Sequence, residues 1–162
     1  MDNFKIDFYL RLIFFISLIS IISAYFIEYI LGHQPCNLCI IERIPYFLSA
    51  IIIIINYIIK KDKKLIILFL ILIFFFSLAL SIYHYGIEQG FFEEAAVCGL
   101  NNAKNITSKE EIMRQLMEKK ISCKDVTFRI FGFSLTTINI ILSLFLLIIL
   151  TKIFKNYEKF KN

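Results

Sequence analysis

Four long apolar segments dominate this sequence and limit what the chain can fold into. Each is long enough to cross about 30 Å of hydrocarbon as a helix, and they span residues 9–31, 40–59, 65–87 and 130–153. Unpaired backbone polar groups are prohibitively costly in lipid, so even the isoleucine-rich runs, which favour strands in water, are expected to be helical. The sequence therefore predicts an all-α membrane protein built as a four-transmembrane-helix bundle.

The composition points to the same class. Hydrophobic residues make up 59% of the chain and the mean hydropathy is +0.75, more apolar than a soluble domain. A cleaved signal peptide is the alternative for the first segment, but that segment is too long and no small-residue cleavage site follows it. Because no flexible linker or internal repeat is visible, residues 1–162 are expected to form a single membrane domain.

The basic residues predict the orientation of the helices. The N-terminus, the 60–64 link and the C-terminal tail carry 10 of the 18 lysines and arginines, whereas seven acids offset the seven basic residues of the 88–129 stretch. The positive-inside rule then places both termini and the 60–64 link in the cytoplasm and leaves 32–43 and 88–129 as outer loops. The net charge of +5 is a topology signal, and no nucleic-acid binding is expected.

All four cysteines fall on the outer side, where disulfides form and persist. Cys36 and Cys39 form a C-x-x-C motif, which suggests a redox site or half of a zinc site. Zinc requires four ligands, but the other two cysteines are 25 positions apart and the two histidines are not close in sequence. A bridge across so short a loop gains little entropy. Redox chemistry without a bound metal is therefore the favoured interpretation.

Arg43 lies at helical spacing from both sulfurs of the C-x-x-C motif. If residues 36–43 begin the second helix, Cys36 lies at a helix N-terminus and Arg43 is on the same face as the two thiols. Arg43 either snorkels to lipid headgroups or stabilises negative charge on a thiolate or on a reduced acceptor. Pro45 would clash with the carbonyl of Ile41 inside a regular helix, so the backbone here is predicted to be kinked.

Cys98 and Cys123 are placed to form a second pair within the 88–129 loop. As a structural bridge it would stabilise the loop by about 3 kcal/mol on the chain-entropy model. The functional alternative is a labile bridge that a partner thiolate can attack. Spacing alone does not separate these two interpretations.

The same loop contains a signal for a short amphipathic helix. Ser108 and Glu111 form a capping box, and an apolar face follows at Ile112, Met113, Leu116 and Met117. Such a helix would lie on the membrane surface or pack over the bundle. A solvated connector is the alternative.

Taken together, these features resemble the DsbB-type bacterial inner-membrane disulfide-forming oxidoreductases over nearly the whole chain. The resemblance rests on several short motifs in the right order at the right membrane depth. They are Pro35-Cys36-x-x-Cys39 with Ile40-Ile41-Glu42-Arg43, Tyr83-His84-x-Gly86-Ile87-Glu88, Cys98, Cys123-Lys124-Asp125-Val126, Phe131-Gly132-Phe133-Ser134 and Asn139.

The resemblance implies an electron relay in the bacterial inner membrane, with the cysteines on the periplasmic side. The pair Cys98–Cys123 would take electrons from a periplasmic DsbA-like thiol oxidase. Cys36–Cys39 would reoxidise that pair and reduce a membrane quinone, ubiquinone or menaquinone. Arg43 matches the quinone-site arginine. His84 matches a residue placed near the quinone, with a satisfied core histidine as the alternative.

Two other functions remain open at this stage. The chain could be a relative that serves a dedicated partner or works in the reductive direction, since its long outer loop lacks the tryptophan that members often carry. It could also be a non-enzymatic membrane adaptor whose two disulfides only fix its outer loops. Glu28, near the outer end of the first segment, is expected to be interfacial.

Overall fold

Long helices account for nearly all of the described structure. The computed structural model describes residues 3–59, 63–93, 98, 122–124, 128–130 and 132–159. Its elements are α1 (Asn3–Tyr29), α2 (Asn37–Ile41), α3 (Ile44–Ile59), α4 (Lys63–Glu88), β1 (Arg129–Ile130), β2 (Phe133–Ser134) and α5 (Leu135–Lys159). Within the described ranges, four helical stretches are long and apolar enough to cross a membrane: Ile6–Tyr29, Asn37–Ile59, Lys63–Glu88 and Leu135–Tyr157. The predicted four-helix membrane fold is confirmed.

The bundle buries one apolar stripe of each long helix and exposes the other. α4 packs most extensively on α5, while α3 packs on both α1 and α4. The core contains Ile13 of α1, Ile53 of α3, Phe74 of α4 and Leu150 of α5. Large apolar side chains cover the outside of the bundle, as the hydrocarbon of a bilayer requires. Examples are Phe15, Ile58, Phe75 and Ile141.

Polar side chains inside the bundle bond across helices. Ser17 of α1 and Ser49 of α3 lie 2.9 Å apart, and Ser77 of α4 and Ser143 of α5 lie 3.1 Å apart. Small hydroxyl residues let helix backbones approach closely, and their hydrogen bonds link the helices in a medium without water. The relative rotation of the helices is therefore fixed by polar as well as apolar contacts.

The two ends of the bundle differ in chemistry. At one end Lys63, which begins α4, forms an ion pair with Asp7 near the start of α1 (2.8 Å), and Arg11 bonds to Tyr57 near the end of α3. The cysteines lie at the other end, where α1 and α4 finish and α2 and α5 begin. The basic Lys63 end of α4 and the cysteines therefore lie at opposite ends of the bundle.

The second span is broken into α2 and α3 at Glu42 and Arg43. The amide of Glu42 still donates to the carbonyl of Leu38 (2.9 Å), but the amide of Arg43 donates only three residues back, to Ile40 (3.2 Å). Pro45 lies in the first turn of α3, where its missing N–H is not required. The predicted kink is present. It lies after the C-x-x-C motif, which itself lies on a helical turn.

Several element ends differ from the sequence-based bounds. α1 begins at Asn3 instead of residue 9 and finishes before Gly32, whose φ of 71° favours glycine. The second span begins at residue 37 instead of 40, which shortens the 32–43 loop. The amphipathic helix predicted around residues 108–117 lies outside the described residues.

The fourth span begins at Leu135 instead of residue 130, because a small antiparallel strand pair precedes it. Arg129 pairs with Ser134 and Ile130 with Phe133. Gly132, with φ of 87°, lies in the turn between the strands. The apolar residues of this pair had been included in the predicted helix, although the glycine is a turn signal.

Candidate redox site

The C-x-x-C motif forms a closely spaced dithiol at the start of α2. Cys36 is the N-cap residue, and its sulfur accepts a hydrogen bond from the backbone N–H of Cys39 (3.3 Å). One helical turn brings the two Sγ atoms to 2.6 Å, and both cysteines are free thiols. A disulfide can therefore form or open here with only a small movement of the two side chains.

His84 of α4 connects the dithiol to a buried carboxylate. Its Nε2 lies 3.5 Å from the sulfur of Cys36, and its Nδ1 lies 3.0 Å from Oε1 of Glu42. A carboxylate accepts, so Nδ1 carries a proton, and Nε2 is left to accept a proton from a thiol or, once protonated, to donate to a thiolate. This is a thiol–imidazole–carboxylate chain of the kind that activates a nucleophile.

The surroundings of Cys36 favour its thiolate form. The hydrogen bond from the Cys39 thiol, followed by the contact with His84, lowers the pKa of Cys36 from 9.0 to about 5, although burial acts in the opposite direction. At neutral pH Cys36 is therefore deprotonated. The thiolate is the nucleophilic form of cysteine, so this residue is prepared for disulfide exchange.

Glu42 is held from two sides by polar groups. Its side chain is almost fully buried, and while Oε1 faces His84, Oε2 accepts a hydrogen bond from the amide of Asn139 on α5 (3.0 Å). The same amide donates to the hydroxyl of Ser81 on α4 (2.8 Å). A buried carboxylate is tolerated only when its oxygens are bonded in this way.

A second acid lies next to this network. Thr136 at the start of α5 donates to Oε1 of Glu88 (2.5 Å), and its hydroxyl lies 3.4 Å from Nδ1 of His84. Sequence reasoning singled out neither Thr136 nor Glu42 as a site residue. The available signal for Glu42 was an ionisable residue at the start of an otherwise apolar span.

The second pair of cysteines forms a disulfide beside the dithiol. Cys98 and Cys123 are bonded, with their Cα atoms 5.8 Å apart. Both are buried in one cluster with Cys36, Leu38 and Ile87. The structure thus brings all four predicted cysteines together: Cys36 is buried in the cluster of the loop disulfide, and the partly buried Cys39 packs against that cluster.

An apolar cavity of about 420 Å³ lies on the other side of the dithiol. Isoleucines of α1, including Ile16, Ile19 and Ile27, supply much of its wall. Among the described residues, the polar lining includes Cys39, Glu42 and Arg43 but neither Cys36 nor His84. Its size and its few polar groups suit a largely apolar ligand with a small number of polar atoms.

Arg43 reaches the cavity from the break between α2 and α3. Its Nη1 lies 2.5 Å from Oε2 of Glu28 on α1, and its guanidinium lies 4.9 Å from the ring centre of Tyr25. The helix-face argument did not anticipate these contacts with α1, because the helix is interrupted before Arg43. Glu28, expected to be interfacial, is the partner of Arg43 in an ion pair.

The separation of the two histidines in sequence counts against a metal site, but one of them lies beside the C-x-x-C motif in space. Ligand atoms of Cys36, Cys39 and His84 all lie within 4.8 Å of one another. Among the described residues these are three ligands, one short of a structural zinc set. Two thiolates that share one tetrahedral zinc ion, with Zn–S bonds of about 2.3 Å, lie about 3.8 Å apart, whereas the two sulfurs here are 2.6 Å apart. The arrangement favours sulfur–sulfur chemistry.

A close dithiol, a disulfide packed beside it and an apolar cavity within a four-helix membrane bundle define a class of membrane proteins that carry out thiol–disulfide chemistry. The chain belongs to the DsbB family: the family model for the disulfide bond formation protein DsbB matches residues 7–153. Membership implies a role in disulfide bond formation at a membrane.

One curated relative gives further support for the family without assigning an activity. The chain is 32% identical over 137 residues to the uncharacterized protein RP370 of Rickettsia prowazekii (strain Madrid E). The match covers 83% of this chain and 80% of that protein. No solved structure matches this chain.

The thiolate character of Cys36 can be tested by alkylation. In the reduced protein, iodoacetamide labelling of Cys36 is expected to stay fast at neutral pH and to slow as the pH falls through about 5, because protonation removes the thiolate. Cys39→Ala and His84→Ala should each move this midpoint upward, and Cys39→Ala should move it further. His33→Ala, which alters the other histidine, is the control. Site-resolved mass spectrometry gives the profiles, and an unchanged midpoint in His84→Ala would contradict the assigned contact.

Proposed function

We propose that this protein is a quinone-dependent thiol oxidase. It reoxidises a periplasmic DsbA-like thiol oxidase and passes the electrons to a membrane quinone, ubiquinone or menaquinone. One observation carries the proposal: the dithiol lies between the loop disulfide and the apolar cavity. Both cysteines pack with the cluster that contains Cys98–Cys123, and Cys39, unlike Cys36, also lines the cavity.

The first half of the relay is disulfide exchange. A thiolate of the partner attacks the Cys98–Cys123 bridge, and the second partner thiolate resolves the mixed disulfide, so the partner leaves oxidised and both loop cysteines are reduced. A loop thiolate then attacks the sulfur of Cys36 in the oxidised C-x-x-C pair. Cys39 leaves as a thiolate, and the second loop thiolate releases Cys36 as the loop bridge closes again.

The second half takes place at the cavity. The residues present fit a quinone ring: isoleucines of α1 offer apolar walls, Arg43 can donate to a ring oxygen, and Cys39 lies on the same lining. A quinone bound there supplies a two-electron, two-proton acceptor. Cys39 and Cys36 give up one electron pair as their sulfurs bond, and two protons accompany those electrons, one from the Cys39 thiol and one that Cys36 has passed to His84.

His84 and Glu42 provide a route for one of these protons. The thiol of Cys36 can pass its proton to Nε2 of His84, while Nδ1 of the same ring faces Glu42. Because Glu42 also lines the cavity, the proton is carried in the same direction as the electrons. The same chain returns Cys36 to its thiolate form.

The energetics require an acceptor of high potential. A DsbA-type oxidase has a reduction potential of roughly −120 mV, and each 30 mV of a two-electron couple corresponds to about 1.4 kcal/mol. Glutathione-type carriers are therefore too reducing to regenerate it. A respiratory quinone in the bilayer meets the requirement and would reach the cavity from the lipid.

The proposed location is the bacterial inner membrane, with both termini cytoplasmic and the cysteines periplasmic. The supporting observation is that the end of the bundle with Lys63 lies opposite the end with the dithiol. Basic residues favour the cytoplasmic side. The thiols would then face the compartment in which protein disulfides form.

The two dithiol cysteines provide the first test of the oxidase. Cys36→Ser and Cys39→Ser are each expected to abolish quinone reduction by a DsbA-type dithiol in membranes, since neither variant can form the sulfur–sulfur bond that releases two electrons. Membrane insertion should be unaffected. Phe75→Leu, a change at a lipid-exposed position, serves as the control. A non-enzymatic adaptor predicts that none of these changes affects a quinone signal, because wild type would give none.

Arg43 provides a test of the quinone site. Arg43→Gln removes a charged donor, and hydrogen bonds to charged groups contribute roughly 1.5–3 kcal/mol. The KM for a soluble quinone is therefore expected to rise about tenfold or more, with the KM for the thiol partner unchanged. Steady-state kinetics with each substrate varied in turn gives both constants. An unchanged quinone KM would remove Arg43 from the site.

The loop cysteines identify the partner. Replacing Cys98 or Cys123 by serine leaves one loop thiol that cannot re-form the internal bridge. One of the two variants is expected to accumulate a mixed disulfide with the periplasmic partner. Non-reducing gels followed by mass spectrometry name that protein. Capture of a single dedicated substrate in place of a DsbA-like oxidase would favour the specialised relative.

A further inference from the structure

The ion pair between Glu28 and Arg43 is unusual because both charged side chains are largely shielded from solvent at a helix end of a membrane bundle. Glu28 lies one residue before the end of α1, and Arg43 lies at the break that precedes α3. Their side chains are only 22% and 13% exposed, and Nη1 of Arg43 lies 2.5 Å from Oε2 of Glu28. Ionisable groups at such a position are costly in a membrane protein and usually mark a functional site.

Arg43 also contacts α1 through Tyr25. The guanidinium lies 4.9 Å from the ring centre of Tyr25, which stacks in turn on Tyr29 with ring centres 5.9 Å apart. Two contacts from one helix thus fix the plane of the guanidinium where it lines the cavity. A guanidinium carries five N–H donors, and the bond to Glu28 uses Nη1, so a ligand oxygen can be met without breaking the ion pair.

Glu42, the carboxylate that lines the cavity, does not take this role. Both oxygens of Glu42 are bonded elsewhere, to His84 and to Asn139. The negative charge beside Arg43 therefore comes from α1, outside the C-x-x-C segment. Glu28 takes no part in the disulfide exchange, electron transfer or proton transfer proposed for the dithiol.

We propose that Glu28 is a positioning residue that tunes the quinone site through Arg43. It holds the guanidinium at the cavity wall and cancels its charge, so that the cavity does not bind the reduced acceptor too strongly. This inference rests on the proposed oxidase function. It adds a residue that determines how readily the reduced product leaves.

The physical reason lies in the charge that enters the cavity. Each turnover brings an electron pair from the dithiol to the acceptor, and its two protons follow. Before those protons arrive the reduced acceptor is an anion, and an unpaired arginine in a poorly solvated site would stabilise it strongly, because electrostatic interactions there are much less screened than in water. The reduced acceptor would be held in its anionic form, would take up its protons more slowly and would leave more slowly. With Glu28 in place, the pair presents little net charge.

Glu28→Gln is the informative substitution, because glutamine keeps an acceptor oxygen and nearly the same shape while losing the charge. The quinone KM and kcat are both expected to fall, and inhibition by added quinol should become about tenfold stronger. Arg43→Gln is expected to change the KM in the opposite direction. If Glu28 only supported the fold, its loss would misplace Arg43 and raise the KM, as Arg43→Gln does.

The matched control is Asp7→Asn. Asp7 is also an acid of α1 that forms an ion pair, but its partner Lys63 lies at the opposite end of the bundle. Its replacement should leave the quinone kinetics unchanged. Glu28→Asp, which keeps the charge, should retain quinol inhibition close to the wild-type value even if its yield is low.

The double variant Glu28→Gln with Arg43→Gln tests whether Glu28 acts through Arg43. In that background the effect of Glu28→Gln should disappear, since coupled residues are not additive. A rise in quinone KM in Glu28→Gln, or an effect that persists without Arg43, would overturn the inference while leaving the oxidase intact. Absence of quinone reduction and of quinone binding in the wild-type protein would remove both proposals together.

Discussion

The rest of the site depends on the hydrogen bonds that the buried carboxylate of Glu42 accepts. It lies at the break between α2 and α3 and bonds to His84 on α4 and Asn139 on α5. Three elements of the bundle are therefore joined at one charge that cannot be left unpaired. By fixing which nitrogen of His84 carries a proton, it also directs the other nitrogen to the sulfur of Cys36.

The break that turns Glu42 inward gives Arg43 a different direction. In an uninterrupted helix Arg43 would share a face with both thiols. Instead it contacts Glu28 and Tyr25 of α1 and lines the cavity. The helix break beside Pro45 thus directs two adjacent residues to different sites. Glu42 favours the thiolate of Cys36 through His84, and Arg43 lines the proposed acceptor site.

The sequence was sufficient to predict the fold and the chemical type of single site residues. It was not sufficient to predict which side chains those residues contact. Helix length and apolar composition predicted the bundle, and spacing alone brought Cys36 close to Cys39. Contacts such as Cys36 with His84, 48 residues apart, or Glu42 with Asn139, 97 apart, depend on how each helix is rotated in the bundle. No local pattern encodes that rotation. The strand pair before α5 was missed because apolar residues on both sides of Gly132 outweighed its turn signal.

The position of the dithiol between the loop disulfide and the cavity has an evolutionary consequence. Both cysteines pack with the cluster of the loop disulfide, while the cavity that Cys39 lines is walled largely by α1 and α5. The surface proposed to select a water-soluble partner and the wall proposed to select a lipid-soluble acceptor are therefore encoded by separate stretches of the chain. Under the proposed function, a lineage could change its lipid-soluble acceptor by altering α1 and α5 while keeping its water-soluble partner.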